Sequence, residues 1–275
     1  MAVQSFEFDE VGEWSELKLE ILSAYGSAYT KAFAKHSYLK KYYIDGFCGA
    51  GVHISKATKN QIEGSPARAL RVEPPFDRFY FIDIDGAKTD YLAQTCTGRN
   101  DVEIHTGDSV TYLKQLLPTI RYQDYKRALC LLDPYGLHLD WEVMRLAGQS
   151  GAVDMFLNFP VMDMNRNAIW HDPSNVPKDG VERMTRFWGD ESWREVAYAD
   201  DPQTDMFGDS GKIKQSNDAI VRGFQKRLQN IAGFQYVPEP MPMRNTRNAV
   251  VYYLFFASAK PVAENIIKEI FAKHR

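Results

Sequence analysis

Asp133 follows the apolar run Ala128-Leu129-Cys130-Leu131-Leu132 and precedes Pro134, Tyr135 and Gly136. A short apolar run stopped by Pro and Gly predicts a strand buried on both faces that ends at a functional loop. Ligands of open α/β sheets bind beyond the carboxyl ends of the strands, where Asp133 is predicted to sit. An acid, a proline and an aromatic in that order suit a planar amine. The carboxylate and a backbone carbonyl accept its two protons while the ring covers its face. The same residues also read as a strand cap and a turn, because Asp-Pro and Tyr-Gly are common turn formers.

Other residues carry compatible chemistry. Tyr42-Tyr43-Ile44 leads into Asp45-Gly46-Phe47-Cys48-Gly49-Ala50-Gly51. Glycines after a first strand let the backbone approach a ligand that a Cβ would repel; a plain glycine turn is the other reading. The run from Arg78 ends at Asp83, where an acid accepts hydrogen bonds from both ribose hydroxyls of a nucleoside cofactor. Asp85 is read as the cap of a helix starting near Ala87. Val102 to Thr106 ends in Gly107-Asp108-Ser109, so Asp108 either meets an adenine amine or caps the helix at Val110. Lys18 shares a helix side with Trp14 and Leu22. It is a snorkelling lysine at a core edge, unless that helix borders the site.

These residues need a scaffold. Trp14, Leu17, Ile21, Leu22 and Tyr25 recur at helical spacing and predict an amphipathic opening helix. Residues 52–63 are polar and aperiodic and read as a mobile excursion. Ser65 is expected to cap a helix with Pro66 in its first turn. A helix over 139–147 and a strand over 154–160 follow. Residues 161–217 show no sustained periodicity and read as an insertion or lid beside the site. A helix over 219–231, strands over 235–237 and 249–257 joined by a turn at 238–248, and a helix from Pro261 complete the chain. The alternation predicts one α/β domain over 1–275, with an N-terminal helical region near 10–41 and a mainly parallel seven-stranded sheet whose last hairpin is antiparallel.

The 275 residues are 44% hydrophobic and 13% aromatic, ample for a packed core, which argues against wholesale disorder. A net charge of −3 argues against a chain that is basic all over, so nucleic-acid binding requires local patches. Lys31, Lys35, Lys40, Arg222, Arg227, Arg244 and Arg247 are the candidates. The three cysteines, Cys48, Cys96 and Cys130, are far apart and lack metal-site spacing, which predicts reduced intracellular thiols. No signal-peptide core or membrane-length apolar run is seen, so a soluble cytoplasmic protein is expected. Substrate recognition is expected from the 161–217 insertion and the 238–248 turn.

Taken in order, the loop at 43–51, Asp83, Asp108 and Asp133-Pro134-Tyr135-Gly136 resemble the class I Rossmann-like methyltransferases that use S-adenosylmethionine. The tetrad differs from the Asp/Asn-Pro-Pro-Tyr/Phe of typical base methyltransferases and is closer to the Asp-Pro-Phe-Gly of tRNA guanine-N2 dimethyltransferases. More narrowly, several stretches are similar to the bacterial three-Cys-motif partner (TcmP) family. They are Trp14-x-x-x-Lys18, Tyr43 to Gly51, Gly64-Ser65-Pro66, Leu132 to Gly136, Asn158-Phe159-Pro160, and Arg244-Asn245 before Tyr252.

The resemblance implies a three-layer Rossmann-like methyltransferase fold and transfer of a methyl group from S-adenosyl-L-methionine to an exocyclic amine of a nucleic-acid base. Asp133, Pro134 and Tyr135 would be catalytic. Asp45, Gly46, Phe47, Gly49, Gly51, Asp83, Asp85, Asp108, Ser109 and Lys18 would bind the cofactor, with no metal. It further implies a radical-type three-Cys-motif protein as partner. An inactive cofactor-binding sensor and a small-molecule methyltransferase are the alternatives.

Overall fold

The computed structural model describes residues 7–200 and 212–275; residues 1–6, and 201–211 of the expected insertion, lie outside the described residues. Seven strands build the main sheet: β1 (Lys40–Asp45), β2 (Arg78–Asp83), β3 (Val102–Thr106), β4 (Lys126–Leu132), β5 (Val153–Phe159), β6 (Met241–Arg244) and β7 (Val250–Ala257). Their spatial order is β6-β7-β5-β4-β1-β2-β3. β1 to β5 run parallel. β7 runs antiparallel to both β5 and β6, so it alone is reversed.

Period-two alternation divides these strands between two cores. Ala128, Cys130 and Leu132 of β4, with Met155, Leu157 and Phe159 of β5, face one cluster. Leu129, Leu131 and Phe156 face the other. The first cluster takes α4 (Ser109–Leu116), α5 (Trp141–Gln149) and α9 (Asn217–Asn230). The second takes α1 (Glu13–Phe33), α2 (Ser65–Leu70), α3 (Gly86–Thr95) and α10 (Pro261–His274). With helices on both faces, the fold is the three-layer Rossmann-like type.

The structure departs from the sequence reading in four places. Residues 52–63 are not an excursion: Val52–Ser55 and Gln61–Glu63 pair antiparallel, and Glu10–Val11 adds a parallel edge. Val52-His53-Ile54-Ser55 and Gln61-Ile62-Glu63 do alternate apolar and polar residues, but over only four and three positions, too few to stand out from a polar segment. Residues 235–237 contribute a single bridge, Tyr236 to Ser258. The strand itself is β6, inside the segment read as a turn. Pro242 is compatible with β6 because an edge strand has one unpaired side. Ser65 does not cap α2; Gly64 holds that position, and Ser65 is the first helical residue.

The fourth departure is within the insertion. It contains α6 (Val161–Asn167), α7 (Lys178–Trp188) and α8 (Trp193–Ala197). Val181, Met184, Phe187 and Trp188 give α7 an apolar face, and the last three are buried in the core of β4 and β5. Phe224 of α9 joins this side; its ring centroid lies 4.6 Å from Phe159 and 5.6 Å from Phe187. Phe224→Ala is expected to cost about 3–5 kcal/mol, as for other buried aromatics. Denaturant unfolding should show one weakened transition for the whole chain; an unchanged midpoint, or loss confined to a separate transition, would contradict a shared core.

Candidate active site at the carboxyl edge

Asp133 lies just beyond β4 and joins three elements. Lys18 of α1 donates to its Oδ2 in an ion pair, and Asn158 of β5 donates to Oδ1 at 2.6 Å. Its side chain is 28% exposed, so it remains reachable. Burial raises the carboxyl, but the Lys18 charge and the bonds from Lys18 and Asn158 outweigh this and hold it below its ordinary value. The group is therefore a fixed anion. It suits accepting hydrogen bonds better than carrying a proton.

Lys18 is thus no peripheral snorkelling residue: it is 7% exposed and aimed at Asp133. The start of α1 is held at this edge by Tyr252 of β7, whose hydroxyl donates to the Trp14 carbonyl at 3.2 Å. Ser55 adds a bond to Glu16 at 2.7 Å. The loop after Asp133 bends back at Gly136, with φ of +60°. A Cβ there would lie 2.6 Å from Asp163 Oδ2 of α6, which also accepts from the Leu137 amide at 3.2 Å. Tyr135 points outward and is 89% exposed, its ring open to stacking.

Asp45 ends β1 and is fully buried. Its Oδ1 accepts from the Phe47 amide at 3.3 Å, while Oδ2 has no partner among the described residues. Burial pushes its carboxyl up to about 7; the Ser65 hydroxyl, near it but outside hydrogen-bond geometry, and the Phe47 amide oppose the rise, and the Asp133 charge adds to it. Gly49 follows at φ +58° and Gly51 at φ +75°, left-handed backbone that favours glycine. A Cβ on Gly49 would meet nothing within 4 Å, so the backbone lies open to a ligand there. A Cβ on Gly64 would lie 2.9 Å from the Gly51 carbonyl carbon, so the start of α2 closes against the loop only as glycine.

The other acids divide by role. Asp83 binds the glycine loop to β2: Oδ2 accepts from the Gly49 amide at 2.8 Å and Oδ1 from the Asp85 amide at 2.9 Å. Each oxygen keeps a second lone pair for a ribose hydroxyl. Asp85 caps α3 through the Ala87 and Lys88 amides, and Asp108 caps α4 through Thr111. Ser109 is buried at the start of α4, and Phe47 and Gly46 pack toward the core. Adjacent strands lie about 4.8 Å apart. Asp108, Asp83, Asp45 and Asp133 therefore form a row along β3, β2, β1 and β4.

The structure adds residues that sequence reasoning left out. His53 has a buried Nδ1 without a partner among the described residues; burial first, and then the Lys18 charge, push it below its usual value. Asn158 Oδ1 is likewise buried and unpartnered. Ser65 and Asp163 complete the set. Only Asn158 and Ser65 carried a signal, inside the Asn-Phe-Pro and Gly-Ser-Pro stretches. Three orphaned polar atoms and an open glycine backbone fit a ligand rich in hydrogen-bond donors, as S-adenosylmethionine is.

The basic candidates separate. β7 passes the carboxyl end of β5, so Arg244 and Arg247 flank the site end. Lys40 begins β1, and Lys31 lies thirteen residues from Lys18, roughly 20 Å along α1. They and Lys35 belong to the opposite end. Arg227 is committed internally, donating to the Trp188 carbonyl and to Asp190, both at 2.6 Å. Among the described residues there is no cluster of His, Cys, Asp or Glu that could hold a metal and no helix long and apolar enough to cross a membrane.

No family model matches the chain, and no curated protein matches it. Among solved structures, it is similar to protein LPL1258 from Legionella pneumophila, with 11% identity and a TM-score of 0.50 over 93% of this chain and 91% of that one. The CurJ carbon methyltransferase aligns at 12% identity and a TM-score of 0.43, over 89% of this chain and 55% of that one. Fibrillarin from Aeropyrum pernix, with natively bound S-adenosyl-L-methionine, aligns at 10% identity and 0.34, over 86% and 76%. The first similarity speaks to fold alone, and the lower scores add nothing to it.

The raised Asp45 carboxyl makes a signed expectation. The folded state binds its proton more tightly than the unfolded chain, so Asp45 costs stability progressively as pH rises from near 4 to near 7. Asp45→Asn should melt at the wild-type temperature near pH 4 and several degrees higher at pH 8. Equal melting shifts at both values would show that Asp45 is not a buried acid.

Proposed function

We propose that the protein is an S-adenosylmethionine-dependent methyltransferase acting on an exocyclic amine of a nucleic-acid base. The observation that carries this reading is the row of acceptors along the carboxyl edge, with an ionised Asp133 beside a buried, unpartnered Asp45 oxygen. Asp108 and Asp83 would receive the adenosine part, and the 45–51 loop with Asp45 would receive the ammonium-bearing part. The bound cofactor supplies an electrophilic methyl group on a sulfonium.

This chain's residues then supply position and charge. An exocyclic amine is a weak nucleophile because its lone pair is delocalised into the ring. Asp133 has a lone pair left on each oxygen after Lys18 and Asn158 are served. Accepting an amine proton there, with the Pro134 carbonyl accepting the other, favours a tetrahedral nitrogen and stabilises positive charge as it develops. Lys18 and Asn158 fix the carboxylate beforehand. Tyr135, exposed, would stack on the base, which a duplex would have to flip out. Arg244 and Arg247 offer phosphate contacts on this side. A radical-type three-Cys-motif protein is the partner the sequence resemblance suggests.

A second reading is favoured by one observation: both Asp133 oxygens already have partners, as in a cofactor-binding sensor that does no chemistry. Calorimetric titration of S-adenosylmethionine tests the shared cofactor site; a folded sample that does not bind it would defeat both readings. Labelled-methyl transfer to tRNA, rRNA, DNA and protein fractions separates them. On the true substrate, Asp133→Ala should cut turnover by at least roughly a hundredfold, the scale of losing a preorganised electrostatic partner. Cofactor affinity should hold. Near-normal turnover in that variant would reduce Asp133 to a strand cap.

A further inference from the structure

The end of the sheet opposite Asp133 contains a cavity of about 740 Å³, within the roughly 300–1,000 Å³ of small-molecule sites. It lies where β4 and β5 begin, under the second half of α1 and beside the first turn of α10. Tyrosines and Phe33 form a large part of its wall. Tyr29 and Phe33 meet edge to face at 5.0 Å, and Tyr38 and Tyr125 meet likewise at 5.5 Å. Tyr38 and Tyr125 are 60% and 57% exposed and stand at the mouth.

The polar groups are few and placed together. The Arg127 guanidinium lies 3.6 Å from the centroid of the Tyr122 ring, and Lys260 Nζ lies 4.3 Å from it. Two cations therefore contact the Tyr122 ring, Arg127 also donating from one guanidinium nitrogen to the Tyr122 and Lys126 carbonyls, and they stand against one carboxylate, Asp154. That carboxylate is already engaged, accepting from the Tyr25 hydroxyl at 2.7 Å and from Ser258 at 2.5 Å. The Tyr29 hydroxyl is buried without a partner among the described residues, within electrostatic reach of Asp154 and Arg127. A buried donor left unpaired costs free energy, and a ligand acceptor would satisfy it.

We propose that this cavity binds a small aromatic anion, its ring system against the tyrosines and its anionic head toward Arg127 and Lys260. Aromatic walls favour a flat aromatic guest through offset and edge contacts. The excess of cations and the unpaired phenol select an acceptor-bearing head over a cationic one. The assignment does not depend on methyl transfer, because none of these residues belongs to the carboxyl-edge site.

The test uses two fluorescent probes of similar shape: anionic 8-anilinonaphthalene-1-sulfonate and neutral N-phenyl-1-naphthylamine. The full chain should bind the anion saturably at one site and more tightly than the neutral probe. Lys260→Gln should weaken the anion about fivefold, the scale of one partly exposed charge contact, and leave the neutral probe unchanged. Ala32→Trp and Val262→Trp, both at exposed lining positions, should each block both probes while circular dichroism and melting stay unaltered. Two such variants guard against one failing to fold. The proposal is overturned by non-saturable binding, by binding that survives a folded tryptophan variant, or by Lys260→Gln weakening both probes alike.

Discussion

The ion pair between Lys18 and Asp133 ties the first helix to the central strand and, through Asn158, to the next. A carboxylate taken partly out of water at a strand end is tolerable only with its charge answered. Lys18 answers it from another element, so α1 must begin at the carboxyl edge and lie along the sheet. Tyr252 and Ser55 fix that beginning, and the apolar face of α1 continues down to Tyr25 and Tyr29. Local electrostatics and long-range packing thus impose the same placement.

Close approach around the glycines is the second constraint. Gly64 against the Gly51 backbone is a contact that any Cβ would prevent, and a Cβ on Gly136, already at positive φ, would press on the Asp163 carboxylate. The two glycines let α2 and α6 press on the two loops that border the candidate site. The buried Asp45 carboxyl sits between these loops with one oxygen unused. Such a group is expensive to keep in a fold for stability alone, which is why it points to a ligand.

The same three elements reach both ends of the molecule. α1 gives Lys18 to one end and Tyr29 to the other. β4 carries Arg127 near its start and stops just before Asp133; β5 carries Asp154 near its start and Asn158 near its end. Polar residues at both ends of otherwise apolar strands are what a doubly covered sheet permits, since only its edges meet solvent.

Much of this architecture was legible because it rests on local pattern. The uninterrupted run at 128–132 marked a doubly buried strand, and Asp85 was identifiable as a cap, since capping depends on near neighbours. The alternation of strands and helices through residue 160 gave the sheet. What stayed hidden depended on partners distant in the chain. Residues 52–55 and 61–63 are held by pairing with each other and with an edge at 10–11, and their alternation is too short to mark a strand by itself. β6 was masked by Pro242, harmless only because that strand lies at the sheet's edge. α7 carried a short apolar face lost among its polar neighbours. Lys18 looked like any lysine on a core edge until folding set it against a carboxylate 115 residues away. His53 and the unused oxygen of Asp45 are features of enclosure. Only tertiary structure decides which polar groups are cut off from water and left without a partner.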